Sequence, residues 1–250
     1  TLQVNVAVFS NRYKNLQEQR QVPFGATTIS TIFNAAKAKA DGAELEAEWL
    51  VSDRTSIGAS LSLLDAKYTS FPDVALPFGT SILVADATAT APTVVDGITI
   101  APAGQRRIFA PGYNCRLVPG QLTTTTAPAF GCDLSGKRIP YAARAQGSVY
   151  LSHDFPLSGQ SRVSPLLVVS YNSGFYGQPT NAEIEKQGAF TKLDFKLNWQ
   201  VNERFAVQFS VDNLGDKQTL NRFVWGGGGA LQVSAAPPRT WGLRLNYKTF

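Results

Sequence analysis

The segment PRTWGLRLNYKTF, residues 238–250, alternates apolar and polar side chains. Because successive side chains of an extended strand point to opposite faces, residues 241–248 place Trp241, Leu243, Leu245 and Tyr247 on one face. The other face carries glycine and polar or charged residues. The pattern predicts a strand with one apolar face, which would pack in a protein core or lie against lipid.

The same period of two recurs in seven further segments and predicts an all-β chain. It is clearest at residues 43–49 and 192–200. Residues 27–33 are too irregular for a strand to be assigned there. The eight predicted strands begin near positions 2, 36, 55, 142, 161, 188, 204 and 238.

The connections between the predicted strands alternate between long and short. The long ones span residues 21–35, 72–140, 177–187 and 216–237, and the short turns span 52–54, 156–160 and 202–204. Structureless connections beyond about 15 residues are uncommon in compact soluble domains. Transmembrane barrels combine long external loops with short periplasmic turns. The lengths therefore favour a transmembrane antiparallel up-and-down β-barrel.

Charge orients the two faces of such a barrel. A midplane Arg or Lys against hydrocarbon costs roughly 2 to 4 kcal/mol, so charged residues are expected to face the lumen. These residues are Glu44, Glu46, Glu48, Lys192, Asp194, Lys196 and Arg244. We expect the three glutamates to pair with Lys or Arg on a neighbouring strand, with cation binding in the lumen as the alternative. Aromatic residues near strand ends then mark the membrane interfaces: Trp49, Trp199, Trp241 and Tyr247.

Composition excludes several classes of protein. The chain has 250 residues, of which 44% are hydrophobic and 16% charged, so it is not compositionally disordered. The net charge is +5, but Lys and Arg are scattered without the basic cluster typical of nucleic-acid binding. The most apolar stretch, residues 74–95, is interrupted by proline and aspartate and is unsuited to a membrane helix. The given sequence opens at Thr1 within a predicted strand, without the basic start and apolar core of a signal peptide, so we expect a processed or truncated piece.

Cys115 and Cys132 enclose a segment rich in threonine and proline. A close pair within a surface loop predicts a disulfide formed in an oxidising compartment, and two unpaired thiols are the alternative. No metal-binding cysteine motif is present. The single histidine, His153, lies near a short turn without a catalytic motif, so we expect a surface or interface residue and no enzyme activity. No cofactor is expected.

Four stretches carry a family resemblance: FAVQFSVDNLGDK at 205–217, PRTWGLRLNY at 238–247, DGAELE at 41–46 and DLSGKRIP at 133–140. In this order they resemble the carboxyl-terminal barrel of TonB-dependent outer-membrane receptors. The resemblance runs through most of the chain except its long central connection. It implies that residues 1–250 are the C-terminal portion of one barrel of about 22 strands with a plugged lumen.

The resemblance also implies a function and partners. These are active uptake of a scarce solute, such as a metal chelate, vitamin or oligosaccharide, and a plug domain that contacts the TonB complex and is not present in this chain. Outer-membrane lipid, lipopolysaccharide and the barrel assembly machinery of a Gram-negative outer membrane are the other expected partners. The assembly signal would be Tyr247 or Phe250, with a bulge near Lys248 needed to bring Phe250 to the lipid face.

Ligand contacts are expected in the outer loops. The candidate residues are Arg106, Arg107, Tyr113, Phe223 and Trp225, the last two flanking a glycine loop at 226–229. Glycines in that loop lack the lysine and the helix of a phosphate-binding motif. Two other interpretations stay open. One is a self-contained eight-strand outer-membrane barrel acting as an adhesin or structural protein, and the other is a soluble secreted β-barrel or sandwich that binds a ligand.

Overall fold

The computed structural model describes residues 1–24, 27–76, 81–95, 98–122, 128–226 and 230–249. These residues form almost only β-strands, with one short 3-10 turn at Glu183–Glu185. No helix in this part of the chain is long and apolar enough to cross a membrane.

The strands follow one another along the chain with these bounds: β1 (Leu2–Phe24), β2 (Thr27–Ser52), β3 (Thr55–Ser70), β4 (Ser81–Ala85), β5 (Thr93–Val95), β6 (Ile98–Ala101), β7 (Gln105–Phe109), β8 (Asn114–Leu122), β9 (Pro128–Asp133), β10 (Ala145–His153), β11 (Phe155–Pro156), β12 (Arg162–Asn172), β13 (Phe175–Tyr176), β14 (Lys186–Gln187), β15 (Phe190–Gln200), β16 (Phe205–Asp212), β17 (Leu220–Trp225), β18 (Leu231–Ala235) and β19 (Thr240–Tyr247).

Eight of these strands form one antiparallel sheet in the order β1-β2-β3-β10-β12-β15-β16-β19, which we call the wall sheet. Each strand pairs with the next of the eight along the chain, which confirms the predicted up-and-down order. The short β11 pairs with the end of β12. Within the described residues, β1 and β19 do not pair with each other. The wall sheet is therefore an open section of a barrel wall and not a closed eight-strand barrel.

The register aligns the apolar side chains of neighbouring strands. Leu2 pairs with Trp49, Trp49 with Ile57, and Ile57 with Leu151. The row continues across the sheet through Leu167, Phe195, Val211 and Trp241. This apolar face exposes Leu2, Val4, Val6, Val8, Leu45, Trp49, Leu61, Leu63, Val149, Leu151, Leu167, Val169, Trp199, Trp241, Leu243, Leu245 and Tyr247. A continuous exposed apolar band of this extent is suited to lipid.

The opposite surface of the wall sheet, the polar face, carries hydroxyl, amide and charged side chains. One of its rows consists of Asn5, Glu46, Ser60, Ser148, Ser170 and Lys192. Charged residues at the centre of the wall thus lie on the face away from lipid, as the alternation predicts. In a closed barrel this face lines the lumen.

The expected pairing of Glu44, Glu46 and Glu48 with Lys or Arg on a neighbouring strand is wrong. Their register partners are Ala7, Asn5 and Gln3 on β1, and Ser62, Ser60 and Gly58 on β3. Glu48 instead accepts a hydrogen bond of 3.2 Å from the Tyr150 hydroxyl. The lysine in the row of Glu46, Lys192, lies four strands away, about 19 Å at the usual strand spacing. The residues between them are serines, which are too short to bridge this gap.

β1 and β2 form a much longer hairpin than predicted. They have 23 and 26 residues, whereas a membrane-spanning strand needs about 9 to 11. Their pairing reaches Phe24 and Thr27, so residues 21–35 are paired strand and not a long connection. Register shifts between Tyr13 and Gln17 break the period of two. This irregularity explains why the alternation in the sequence fades before the strand ends.

The other long connections contain small hairpins. Within residues 72–140, β4 pairs with β7, β5 with β6, and β8 with β9. β13 pairs with β14, and β17 with β18, in the two later connections. Most of these strands have two to six residues, and β8, with nine, contains a proline, so their sequences show no regular alternation.

The long connections after β3, β12 and β16 leave one end of the wall sheet, where the paired extension of β1 and β2 also projects, and the three short turns leave the other. The short turns follow β2, β10 and β15. Trp49, Trp199 and Tyr247 lie near the short-turn end, while Trp241 lies near the loop end, and all four are exposed on the apolar face. This arrangement agrees with the predicted aromatic belts at the two interfaces.

Two predicted features fall partly outside the described residues, namely 227–229 of the glycine loop and the terminal Phe250. Tyr247 is 66% exposed on the apolar face. The pairing of β16 with β19 is regular as far as Tyr247, and the Lys248 amide continues it with a bond of 2.9 Å to the Arg204 carbonyl. No bulge interrupts the described part of this hairpin, up to Lys248.

Candidate functional site

The central connection packs against the extended part of β2 and β3 beyond the apolar face. Buried residues from both form one cluster: Ala36, Ala38, Tyr68, Phe71, Val74, Leu76, Cys132 and Leu134. Ala38 and Tyr68 belong to the polar-face side of the wall, since each is six residues from Glu44 or Ser62 without a register shift between them. The connection therefore folds over the lumen side of the wall.

Backbone hydrogen bonds fix the connection to the end of β3. The Tyr68 amide donates to the Lys137 carbonyl at 3.0 Å, and the Gly136 amide donates to the Tyr68 carbonyl at 2.9 Å. Val74 and Cys132 exchange two further bonds of 2.9 and 3.0 Å. Gly136 has φ +82°, a conformation that favours glycine, so it allows the chain to turn back along β3.

A tyrosine–glutamate hydrogen bond crosses from this cluster to β1. The Tyr68 hydroxyl donates to Oε1 of Glu18 at 2.6 Å. Burial raises the pKa of Glu18 above its ordinary value, and the bond from Tyr68 opposes this shift only in part. Burial and the neighbouring Glu18 raise the pKa of Tyr68. The first long hairpin and the central connection are thus joined by a half-buried polar contact.

The predicted disulfide is present. Cys115 and Cys132 are bonded and lie opposite each other on β8 and β9. Cys132 is fully buried in the cluster described above. Arg116 follows Cys115 on β8 and forms an ion pair of 3.1 Å with Asp73. The bond therefore fastens the β8–β9 hairpin to the buried base of the central connection.

Glu185 forms a second buried centre where the loops meet. Its side chain is 0% exposed. The carboxylate accepts hydrogen bonds from the Trp225 indole N–H at 2.6 Å, the Ala182 amide at 2.8 Å and the Thr180 hydroxyl. These donors compensate for the loss of water around the charge. One carboxylate thereby joins the connection after β12 to the connection after β16.

The central connection also reaches this centre. The Tyr113 hydroxyl donates to the Thr180 carbonyl at 3.0 Å. Burial, and then the negative charge of Glu185, raise the pKa of Tyr113 to about 12, so the hydroxyl keeps its proton. The Lys137 ammonium lies 4.4 Å from the centre of the Tyr113 ring. Three outer connections thus meet around Thr180 and Glu185.

Two more contacts tighten this junction. The Leu220 amide donates to the Gln187 side-chain oxygen at 2.6 Å, and the Gln178 side chain donates to the Phe223 carbonyl at 2.6 Å. A Cβ atom on Gly177 would lie 2.1 Å from the Phe223 ring, so only glycine allows this close approach. The junction is therefore closely packed at Gly177 and Phe223.

The five residues predicted to contact ligand occupy different environments. Tyr113, Phe223 and Trp225 meet at the junction, and the last two are only 1% and 8% exposed. The exposed position expected for these two aromatics is therefore wrong, because they pack between the loops. Arg107 donates to the Ile100 carbonyl at 2.7 Å and its guanidinium lies over the Phe130 ring.

Arg106 is the candidate that faces water. Its side chain is 62% exposed and lies 3.6 Å from Asp86. Asp86 itself has a pKa lowered chiefly by the hydroxyl and amide of Thr88, so it stays charged. The strand alternation of β7 separates Arg106 from Arg107 and places them on opposite faces of the hairpin.

No sequence pattern indicates Glu185, Thr180 or Gln187 as junction residues. A glutamate in a polar segment is usually a solvated surface residue. The partners of Glu185 are 5 and 40 residues away in sequence, at Thr180 and Trp225. The one sequence feature that points to such a carboxylate is the indole of Trp225, which needs a hydrogen-bond acceptor when it is buried.

No catalytic or metal constellation is found in the described residues. No group of three or more His, Cys, Asp or Glu side chains is placed to hold a metal ion there. The imidazole of His153 shares a hydrogen bond of 2.7 Å with the Thr55 hydroxyl at the short-turn end, and its ring contacts Phe155. The arrangement is suited to holding loops above a polar wall and to binding at their exposed surface.

Comparisons with known proteins agree with this architecture. The sequence profile of the family described as TonB dependent receptor-like, beta-barrel matches residues 1–214. A comparison with curated proteins finds no match.

Three solved structures share this fold. One is the ferric yersiniabactin uptake receptor FyuA from Yersinia pestis, with a TM-score of 0.64 and 19% identity over 100% of this chain. Another is the siderophore receptor PiuA from Acinetobacter baumannii, with a TM-score of 0.57 and 18% identity over 98% of this chain. The copper transporter OprC has a TM-score of 0.59 and 12% identity over 98% of this chain.

The chain spans 28% of the length of FyuA, 26% of PiuA and 29% of OprC. It corresponds to a section of each barrel and not to a whole receptor. The wall sheet, its lipid-type face and the family match over most of the chain lead to one conclusion. The chain belongs to the TonB-dependent receptor family, as part of the β-barrel that places these proteins in the bacterial outer membrane.

Proposed function

We propose that this chain is the carboxyl-terminal part of the barrel of an active transporter that imports a metal chelate across the outer membrane. The observation that carries the proposal is the family match over residues 1–214, joined to a wall whose long connections all leave one end. Uptake by a receptor needs such a wall, with ligand-facing loops outside and a polar lumen inside. Catalysis is not part of the proposal.

In this proposal, residues 1–250 supply eight of about 22 strands and the plug domain lies outside this chain. The free edges of β1 and β19 support it, because each offers unpaired backbone groups to a further strand. The connection at 72–140 faces the cell exterior. The plug links the barrel to the TonB complex, and Tyr247, on the apolar face, carries the signal for the barrel assembly machinery.

An anionic chelate is the solute class that we favour. Solved proteins of this fold are named as receptors for ferric yersiniabactin and for other siderophores. Residues 71–143 of this chain contain five basic side chains and four acidic ones. The basic residues are Arg106, Arg107, Arg116, Lys137 and Arg138, and the acidic residues are Asp73, Asp86, Asp96 and Asp133. This excess favours an anion over a neutral vitamin or oligosaccharide.

Uptake measurements test the proposed function. A strain lacking the full-length protein is grown under metal limitation and supplied with radiolabelled metal in anionic chelates, and uptake is compared with a complemented strain. We expect uptake that depends on both the protein and an energised inner membrane. If only a vitamin or an oligosaccharide were taken up, the proposed solute class would be wrong. Passive uptake without the TonB complex would contradict active transport.

Arg106 is the residue through which ligand contact is best tested. Arg106→Ser removes an exposed charge whose only described ion pair, with Asp86, is long at 3.6 Å. We expect KM for uptake to rise about tenfold with an unchanged maximal rate, as for the loss of one charged hydrogen bond. Arg54→Ser in a short turn is the matched control and should leave both values unchanged. An unchanged KM in Arg106→Ser would exclude this residue from the binding surface.

A further inference from the structure

The outer surface of β1–β3 changes character abruptly where the apolar face ends. Val8, Ala43 and Leu63 are in register and form its last apolar row there. The next row contains Ser10, Asp41 and Asp65, and the row beyond that contains Arg12, Lys39 and Lys67. No register shift separates these rows, so all nine side chains lie on the same outward face. Each row is about 7 Å further along the strands than the row before.

The charged rows form a connected cluster. Arg12 lies 2.6 Å from Asp41, Lys39 lies 3.4 Å from the same carboxylate, and Lys67 lies 2.9 Å from Asp65. The side chains of Arg12 and Lys67 are 58% and 36% exposed. The hydrogen bond from Arg12 is the largest cause that lowers the pKa of Asp41 to about 2, so the carboxylate is charged at any physiological pH. The two aspartates hold the three cations in place and leave their outer sides open.

Arg144 adds a fourth cation. It is exposed and close enough for its charge to contribute to the lowered pKa of Asp65. Among the described residues, no hydrogen bond or ion pair engages its guanidinium. Four cations and two carboxylates give this cluster a net charge of +2.

A shallow depression joins the charges to the apolar rows. It has a volume of about 660 Å³ and is lined by Asp41, Ala43, Leu63, Asp65, Lys67 and Arg144. Its lining is thus apolar on the side of the membrane and charged on the side of the cell exterior. By contrast, the apolar face ends at β12 and β15 on the uncharged pair Tyr171 and Thr191.

This order of groups matches one kind of partner. An outer-leaflet lipid places its acyl chains against the apolar rows and its headgroup at the level of the next rows. Phosphate is the headgroup anion that Arg and Lys bind best, through charge-assisted hydrogen bonds. A soluble anion would use the cations but would gain nothing from the adjoining apolar surface, which is already continuous with the membrane interface.

We propose that Arg12, Lys39, Lys67 and Arg144 form a binding site for the phosphorylated headgroup of an outer-leaflet lipid, whose acyl chains lie on Val8, Ala43 and Leu63. The site is on the outside of the barrel and is separate from the solute pathway. It depends on the outer-membrane location of the protein and not on the identity of the transported solute.

Lipid retention in the full-length protein tests this site. The purified protein in detergent is titrated with the diphosphorylated glycolipid lipid A, and bound lipid is measured by native mass spectrometry. The triple variant Lys39→Ser/Lys67→Ser/Arg144→Ser should bind roughly 100-fold more weakly, and Arg144→Ser alone about fivefold more weakly. Arg144→Ser alone tests the site even if the triple variant misfolds, because the Arg144 side chain makes no hydrogen bond or ion pair among the described residues. Heat-modifiable migration confirms that each variant is folded.

Three controls decide between the alternatives. The triple variant Arg54→Ser/Arg162→Ser/Arg204→Ser removes three cations from the short-turn end and should bind lipid A as the parent does. Lys39→Arg/Lys67→Arg should retain binding. Lipid A from which both phosphates have been removed should bind no better to the parent than to Lys39→Ser/Lys67→Ser/Arg144→Ser. Equal retention in all proteins would overturn the site, and so would displacement of lipid A by inorganic phosphate at millimolar concentration, which would indicate a soluble anion.

Discussion

At the scale of single residues, the buried carboxylate of Glu185 matters most for the outer loops. Its partners are donors from two different connections, and Tyr113 brings in a third through the Thr180 carbonyl. Neutral donors can hold a buried charge only if all of them remain in place. The three outer connections are therefore expected to move together, as one body.

Glu185→Gln tests this junction. The amide presents an N–H group to donors that need an acceptor, so we expect a local loss of about 2 kcal/mol. Hydrogen exchange should then accelerate in residues 176–187 and 219–225 and remain unchanged in the wall sheet. Glu183→Gln is the matched control, since this neighbour is exposed and its loss should have no such effect. Equal exchange in the two variants would mean that Glu185 does not hold the loops together.

Glu18 gives the loops a dependence on pH. Burial raises its pKa in the folded protein above the unfolded value, so the folded state binds this proton more tightly. The resulting stability is fully present below the unfolded pKa and is lost as pH rises through the raised folded pKa. Hydrogen exchange of residues 66–71, corrected for the intrinsic pH effect, should therefore be slower at pH 4 than at pH 7.5.

The variant Glu18→Gln isolates this titration. Glutamine keeps an oxygen that accepts the bond from Tyr68 but carries no charge. The pH dependence of exchange in residues 66–71 should disappear, with protection at pH 7.5 rising to the level at pH 4. A pH dependence that persists in Glu18→Gln would assign it to another group.

At the scale of elements, the membrane-spanning strands are predictable and the outer structure is not. In the wall, lipid on one face and polar groups on the other impose a strict alternation, as in Leu193, Phe195 and Leu197 against Lys192 and Lys196. All eight strands consequently start within a few residues of the expected positions, except β2. β2 begins at Thr27 instead of near position 36, because a register shift between Ala36 and Asn34 breaks the period of β2 itself.

The loops follow different rules. Their hairpins are held by backbone bonds and by contacts between distant residues, such as Cys115 with Cys132 and Trp225 with Glu185. Neither kind of contact leaves a period in the sequence. The disulfide was predictable because cysteine pairs have a single common use in oxidising compartments. The burial of Phe223 was not, because its partner Gly177 is far away in the chain.

The disulfide should stabilise the central connection alone. Closing a loop with a sequence separation of 17 residues contributes about 3 kcal/mol in the chain-entropy model. Cys115→Ser/Cys132→Ser should therefore expose residues 114–133 to limited proteolysis while heat-modifiable migration of the barrel stays normal. Proteolysis at the rate of the parent would mean that the buried cluster around Tyr68 and Phe71 holds the hairpin without the bond.

At the scale of the whole molecule, the two faces of the wall divide the functions. The apolar face anchors the protein in lipid and ends, at β1–β3, on the charged cluster proposed to bind a phosphorylated lipid. The polar face would line the proposed solute pathway, and it carries three glutamates that lack cationic partners on the adjoining strands. The outer connections fold over this polar side and are joined at Glu185. Membrane anchoring and the proposed transport thus use opposite sides of the same strands.

We expect the apolar face of the wall sheet to lie against lipid. Nitroxide labels placed singly at positions 241–247 of β19 in the full-length protein, reconstituted in bilayers, measure this directly. Labels at 241, 243, 245 and 247 should be accessible to oxygen dissolved in lipid, and labels at 242, 244 and 246 should be accessible only to a water-soluble nickel complex. A reversed alternation of oxygen and nickel accessibility, or no alternation, would contradict contact between the apolar face and lipid.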